Sequence, residues 1–203
     1  ALGRWAEMAD PTFKLDQAFI RFRKGYSAPH LTGGDQQSVR GSCRGEMIAR
    51  CVVESGTSSY YSAIRDATEE PVLKDIAGRI AADEYRHYKL FYGLLHVQNE
   101  PELSFWTKLR IAIGRVRESD DDELAYAYYC ANVSAQQESA RPYDRRTYSK
   151  ASAATSMAIY RRKHIQKLVQ MVAKALGANP HGWMAKAMGA ILWRRMQSRA
   201  GTA

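Results

Sequence analysis

No stretch of this 203-residue chain stays apolar for the roughly 20 residues that a bilayer-spanning helix needs. The first residues, Ala-Leu-Gly-Arg-Trp-Ala-Glu-Met, also lack the apolar segment of a secretory signal. Cysteine is scarce and odd in number. Cys43, Cys51 and Cys130 are too few and too scattered for a disulfide frame, so they read as reduced thiols of a cytoplasmic protein. Alternating apolar and polar runs between turns are missing, which argues against strands. There is no Walker loop, dinucleotide fingerprint, zinc-finger spacing or Gly-x-Ser-x-Gly elbow, and no repeat or low-complexity tract. Acids are lacking in one place in particular. From residue 141 onward there are 13 Lys/Arg and a single acid, Asp144, whereas the first 140 residues carry a net charge of −3. The overall +9 therefore belongs to the last third, where an anionic membrane surface, a nucleic acid or a solvated basic face would each account for it.

What is present is helical periodicity. A short helix follows Pro11, with Phe13, Phe19, Ile20 and Phe22 on its apolar side, and Ser27 to Asp35 reads as a loop. A first long helix is expected from about Gln36 to Asp66, with Met47, Cys51, Ser58 and Tyr61 along one face. A second begins near Pro71, with Thr68 as its cap and Glu69 and Glu70 beside its positive end. Leu73, Ile76, Ile80, Phe91 and Leu94 form its stripe, and Asn99-Glu-Pro ends it. A partly helical connection over 104–117 leads to a third helix, which starts after Ser119 and a run of aspartates and carries Leu124, Ala127, Ala131 and Ser134. A fourth runs from a break at Pro142 to the stop signal Gly-Ala-Asn-Pro at 177–180. A last amphipathic helix covers about 183–195. The expected class is all-α, divided into an N-terminal extension (1–35), a four-helix bundle (36–177) and a basic C-terminal helix (178–203).

Two glutamates interrupt these stripes. Glu54 shares a face with Met47, Cys51, Ser58 and Tyr61, while Glu84 and His87 fall in line with Ile80 and Phe91. An uncompensated buried carboxylate costs several kcal/mol, and a metal ion held between facing helices would offset it. Glu and His at i and i+3 project from one side of a helix and can reach one ion. Thirty residues separate Glu54 from Glu84, enough for an antiparallel hairpin turning near 68–71.

At Glu54 and Ala-Ala-Asp-Glu-Tyr-Arg-His (81–87), the chain resembles the ferritin-like superfamily of rubrerythrins, ubiquinone-biosynthesis hydroxylases and bacterial di-iron oxygenases. The likeness spans roughly residues 36 to 176, with its specific motif in the first half. It implies a four-helix bundle binding iron or manganese, one or two ions, and dioxygen or peroxide chemistry on a small substrate, hydrophobic ones included. It also implies a second Glu and a second Glu-x-x-His on the third and fourth helices. His164 matches the final histidine, but Arg161 stands where its glutamate belongs, and the fourth helix has no glutamate at all. Around the third-helix position stand Tyr126, Tyr129, Cys130 and Asn132, with Glu123 and Glu138 the nearest acids.

Three arrangements stay open. The site is mononuclear, built from Glu54, Glu84, His87 and His164; or it is an asymmetric pair completed by Glu123 or Tyr160; or Arg161 supplies the charge of a lost ion. Cys51 and Tyr61 are neighbours of this site, Cys51 as a small buried hydrophobe. The leading functional expectation is a metal-dependent oxidoreductase. The alternative is a non-catalytic ferritin-like scaffold acting through its basic C-terminal third on a membrane, nucleic acid or protein. The last helix, with Trp183, Met184, Met188, Ile191, Leu192 and Trp193 beside Lys186, Arg194 and Arg195, suits peripheral membrane contact, packing on the bundle, or a homodimer interface.

Overall fold

The computed structural model describes residues 1–26, 40–97, 99–119 and 122–201. The loop expected at Ser27 to Asp35, the first residues of the first long helix and two of the three aspartates lie outside these. The described residues are helical, with no strand: α1 (Leu2–Ala9), α2 (Leu15–Gly25), α3 (Cys43–Ala67), α4 (Pro71–Val97), α5 (Phe105–Ser119), α6 (Asp122–Asn132), α7 (Arg145–Ile159), α8 (Arg162–Ala175) and α9 (Trp183–Ala200), with a 3₁₀ turn at Ala135–Gln137. Among them, no helix is long and apolar enough to cross a membrane.

α3 and α4 form the antiparallel hairpin that the sequence implies, and its ends are fixed by local chemistry. The Ser42 side chain accepts from Gly45 N–H, and the Glu100 carboxylate takes the N–H groups of Cys43 and Arg44, all orphan donors of the first turn. α3 stops at Ala67, and Pro71 opens α4, where a missing N–H is harmless. The cap of α4 differs from expectation. The Glu70 carboxylate, not Thr68, accepts from Val72 and Leu73, and it holds Trp5 of α1 as well.

Small side chains let the hairpin close tightly. Ser55, Ser58, Ala77 and Ala81 are buried, and Ser58 donates across the gap to the Ala81 carbonyl at 3.0 Å. α8 lies antiparallel to α3, tied to it by Ser59, which donates to the His164 carbonyl (3.0 Å), and tied to α4 by the Tyr88 hydroxyl, which donates to the Met171 carbonyl (2.8 Å). α5, expected only as a partly helical connection, is a continuous helix that packs on α3. The main core is thus shared by α3, α4, α5 and α8, through Ile48, Cys51, Tyr88, Ile111, Met171 and Leu176.

The rest of the expected bundle is arranged otherwise. α6, the expected third bundle helix, packs on α7 and α2, where Tyr129, Cys130 and Val133 meet Phe22 and Tyr148. The expected fourth helix is two. Tyr160 and Arg161 take extended backbone (ψ 143° and 157°) and separate α7 from α8. The stop at 177–180 is as expected: Gly177 sits at φ +79°, Ala178 N–H reaches the Ala173 carbonyl and Gly177 N–H the Lys174 carbonyl, a Schellman ending. α9 runs on to Ala200 and folds back over α7 and α8, burying Ala185 with Met188, Leu192 and Trp193 against Ile165 and Val169.

Candidate metal centre

The hairpin register sets Glu54 of α3 opposite Glu84 of α4, and the helical i, i+3 spacing puts His87 on the same side as Glu84. The three form a graded set: side-chain exposure is 11% for Glu54, 21% for Glu84 and 57% for His87. The group therefore opens to solvent on the His87 side and is not an enclosed core site. His87 Nδ1 stands 3.7 Å from Glu54 Oε2 and 3.5 Å from Glu84 Oε2, and one donor atom from each residue lies within 4.8 Å of the others. Donors bound at about 2.0–2.2 Å to one ion stand about 3–4.4 Å apart, so this set needs only a small contraction to hold one. Among the described residues this is the one group of three or more His, Cys, Asp or Glu side chains with such geometry.

The electrostatics explain how two carboxylates tolerate each other. Burial, then the hydrogen bond to Glu84 and the Glu84 charge, push the Glu54 carboxyl up to about 7. Glu84 moves the opposite way. The proton donated by Glu54 holds it below the ordinary carboxylate range against burial, with His87 and Thr57 adding to the effect. The pair is therefore favoured as one carboxyl, Glu54, hydrogen-bonded to one carboxylate, Glu84. Arg50, one turn before Glu54, also favours the ionised form of Glu54.

Several expected participants stand apart. His164 is buried, but its ring is fully used: Nδ1 accepts the Arg161 N–H at 3.0 Å, and Nε2 lies 3.1 Å from Asp66 Oδ2. Asp66 is twelve residues beyond Glu54, about 18 Å along α3, so His164 does not join the three. Arg161 is exposed at the start of α8, which removes it as a replacement charge between the glutamates. Glu123 is exposed in the first turn of α6, the helix that packs on α7 and α2. Tyr160 closes α7, its ring 6.2 Å from Tyr60 and 6.0 Å from His164, and burial pushes its hydroxyl up to about 12. The two expected neighbours are near. Cys51 is fully buried, and burial with the Glu54 charge pushes its thiol up to about 12, so it is a protonated, apolar filler. Burial, then the Glu84 charge, raises the Tyr61 hydroxyl.

Thr57 and Arg50 were legible but not singled out: at i+3 and i−4 from Glu54, helical spacing alone puts them on its side. Asp66 had a subtler signal. An acid in the last turn of α3 opposes the helix dipole and must be offset. Burial raises it, but hydrogen bonds from Lys163, His164 and Arg65 hold it well below the carboxylate range. No protein-family model, no curated protein and no solved structure matches the chain, so its function has to be read from these side chains.

Proposed function

We propose that Glu54, Glu84 and His87 bind a single divalent transition-metal ion, iron or manganese, and that the chain is a metal-dependent oxidoreductase built on a ferritin-like helical hairpin. The observation that carries this reading is the convergence of three donors within 4.8 Å at the solvent-open edge of α3 and α4. Two carboxylate oxygens and one imidazole nitrogen suit iron or manganese and leave coordination positions free. Bound there, such an ion would supply one-electron chemistry toward dioxygen or peroxide and Lewis acidity toward a substrate oxygen.

The chain's own residues have definable tasks. Glu54 would have to be ionised to hold the ion, so binding would strengthen as pH rises through about 7. Thr57 orients Glu84, and Tyr61 offers a protonated hydroxyl beside it. A small substrate, including a hydrophobic one, approaches from the His87 side, where the site is open. The test is dioxygen uptake by protein loaded with Fe(II) under nitrogen. Uptake above that of free Fe(II), lost in Glu84→Ala, is expected; equal rates for the two proteins would overturn the oxidoreductase reading.

A second reading has one observation in its favour. The Glu54–Glu84 pair already satisfies itself by sharing a proton, as a non-catalytic scaffold with a degenerate site would require. Metal content separates the two.

A further inference from the structure

α9 carries apolar side chains on both of its sides, and only one side is covered. Ala185, Met188, Leu192 and Trp193 face α8. On the opposite side Trp183 is 78% exposed and Ile191 66%, with Met184 exposed at the flank of that side. At 100° per residue, positions 183, 187, 190, 191 and 194 share that outward face, and Lys186, Arg194 and Arg195 lie on it or along its edges, all exposed. Two large apolar side chains, Trp183 and Ile191, thus stand in water among basic ones, on the side of α9 that α8 does not cover. The outward side of α9 therefore asks for a partner.

Charge decides which partner fits. The segment from residue 141 holds 13 basic residues and one acid, and the basic side chains of α8 and α9 are exposed. A second copy laid α9 against α9 would set those charges against each other. A nucleic acid would match the charge but leave Trp183 and Ile191 against a phosphate backbone, with no groove-reading module to use them. An anionic lipid surface matches both features. Tryptophan favours the headgroup boundary, an aliphatic side chain reaches the acyl region, and lysine and arginine meet the lipid phosphates.

We infer that the outward face of α9 docks on an anionic bilayer surface, with Trp183 and Ile191 inserted and Lys186 and Arg194 on the headgroups. The helix need not detach, because its other side stays packed on α8. This surface is separate from the Glu54 group, so it holds or fails independently of metal binding.

The experiment is co-sedimentation of the full chain with phosphatidylcholine vesicles, with and without phosphatidylglycerol. The chain is expected to bind the anionic vesicles and not the neutral ones, and to lose binding with added salt. Lys186→Ala and Arg194→Ala should each weaken partitioning about fivefold. Trp183→Ser with Ile191→Ser should weaken it about tenfold or more, with unchanged circular dichroism because both side chains are exposed. Equal binding to both vesicle types, no binding to either, or unchanged binding by the Trp183→Ser/Ile191→Ser protein would overturn the inference. So would a solution dimer or a DNA complex that these substitutions abolish in a chain that ignores anionic vesicles.

Discussion

At the scale of single residues, Glu54 is the most informative side chain, because its proton has a direction in pH. Its folded pKa of about 7 exceeds the ordinary carboxylate value of 4.5. The folded state therefore holds this proton more tightly than the unfolded chain does. Its contribution to stability is complete below about pH 4.5 and is lost as pH rises through 7. Partial solvent screening limits the loss to about 1–2 kcal/mol. Urea titrations of metal-free protein at pH 5 and pH 8 should show it, and Glu54→Gln should remove most of the difference. Asp66 runs the other way. Its depressed pKa means that the stability from its bonds to Lys163, His164 and Arg65 is present above the ordinary value of 3.8 and lost as pH falls below it. Asp66→Ala should cost about 2–3 kcal/mol in denaturant unfolding at pH 7, because it strands the buried His164 ring. The same substitution should leave metal binding at Glu54 almost unchanged, which distinguishes this brace from the candidate centre.

At the scale of elements, the α3–α4 pair is the unit that makes the site. Its spacing is set by serines and alanines, so volume added between the helices should act on the site from a distance. Ser58→Leu is expected to cost about 1–3 kcal/mol by overpacking and to weaken metal affinity by parting Glu54 from Glu84. Ser58→Ala, which only removes the bond to the Ala81 carbonyl, should cost about 1 kcal/mol and spare affinity. Thermal unfolding and metal titration of the two proteins check both statements. This hairpin was legible in the sequence because its signals are local: a proline at the first position of α4 and a Glu-x-x-His on an apolar stripe; its start was not, since a helix was expected from about Gln36, whereas residues 40–42 are non-helical and Ser42 caps α3. Nor was the break between α7 and α8. Tyr160 and Arg161 carry no proline or glycine, and the interruption is held by Asp66 gripping His164, while His164 in turn caps the Arg161 N–H. Such a break depends on a residue 98 positions away, which no helical window contains. For the same reason His164 read as a ligand: periodicity gave its apolar face, but not the carboxylate waiting for its ring.

At the scale of the whole molecule, the chain divides its chemistry between two regions. The acids that matter sit on α3 and α4 in the mildly acidic part of the sequence, and the basic surface sits on α7, α8 and α9. α8 joins them by packing on α3 with one side and on α9 with the other. Composition made this division plain, and periodicity gave the all-helical class. Neither could tell that α5 shares the main core while α6 joins α2 and α7, because that choice rests on non-local packing of Ile111 and Tyr129. The consequence for the candidate centre is direct. A symmetric two-ion site needs carboxylates from two further helices, and the helix beside α3 that carries His164 spends that residue on Asp66. The proposed centre therefore holds one ion. Its sharpest test is elemental analysis of chelator-treated chain titrated anaerobically with Fe(II) or Mn(II), beside Glu84→Ala. One ion per chain, lost in the variant, is the predicted result; no ion retained, two ions per chain, or equal retention by both proteins would contradict it.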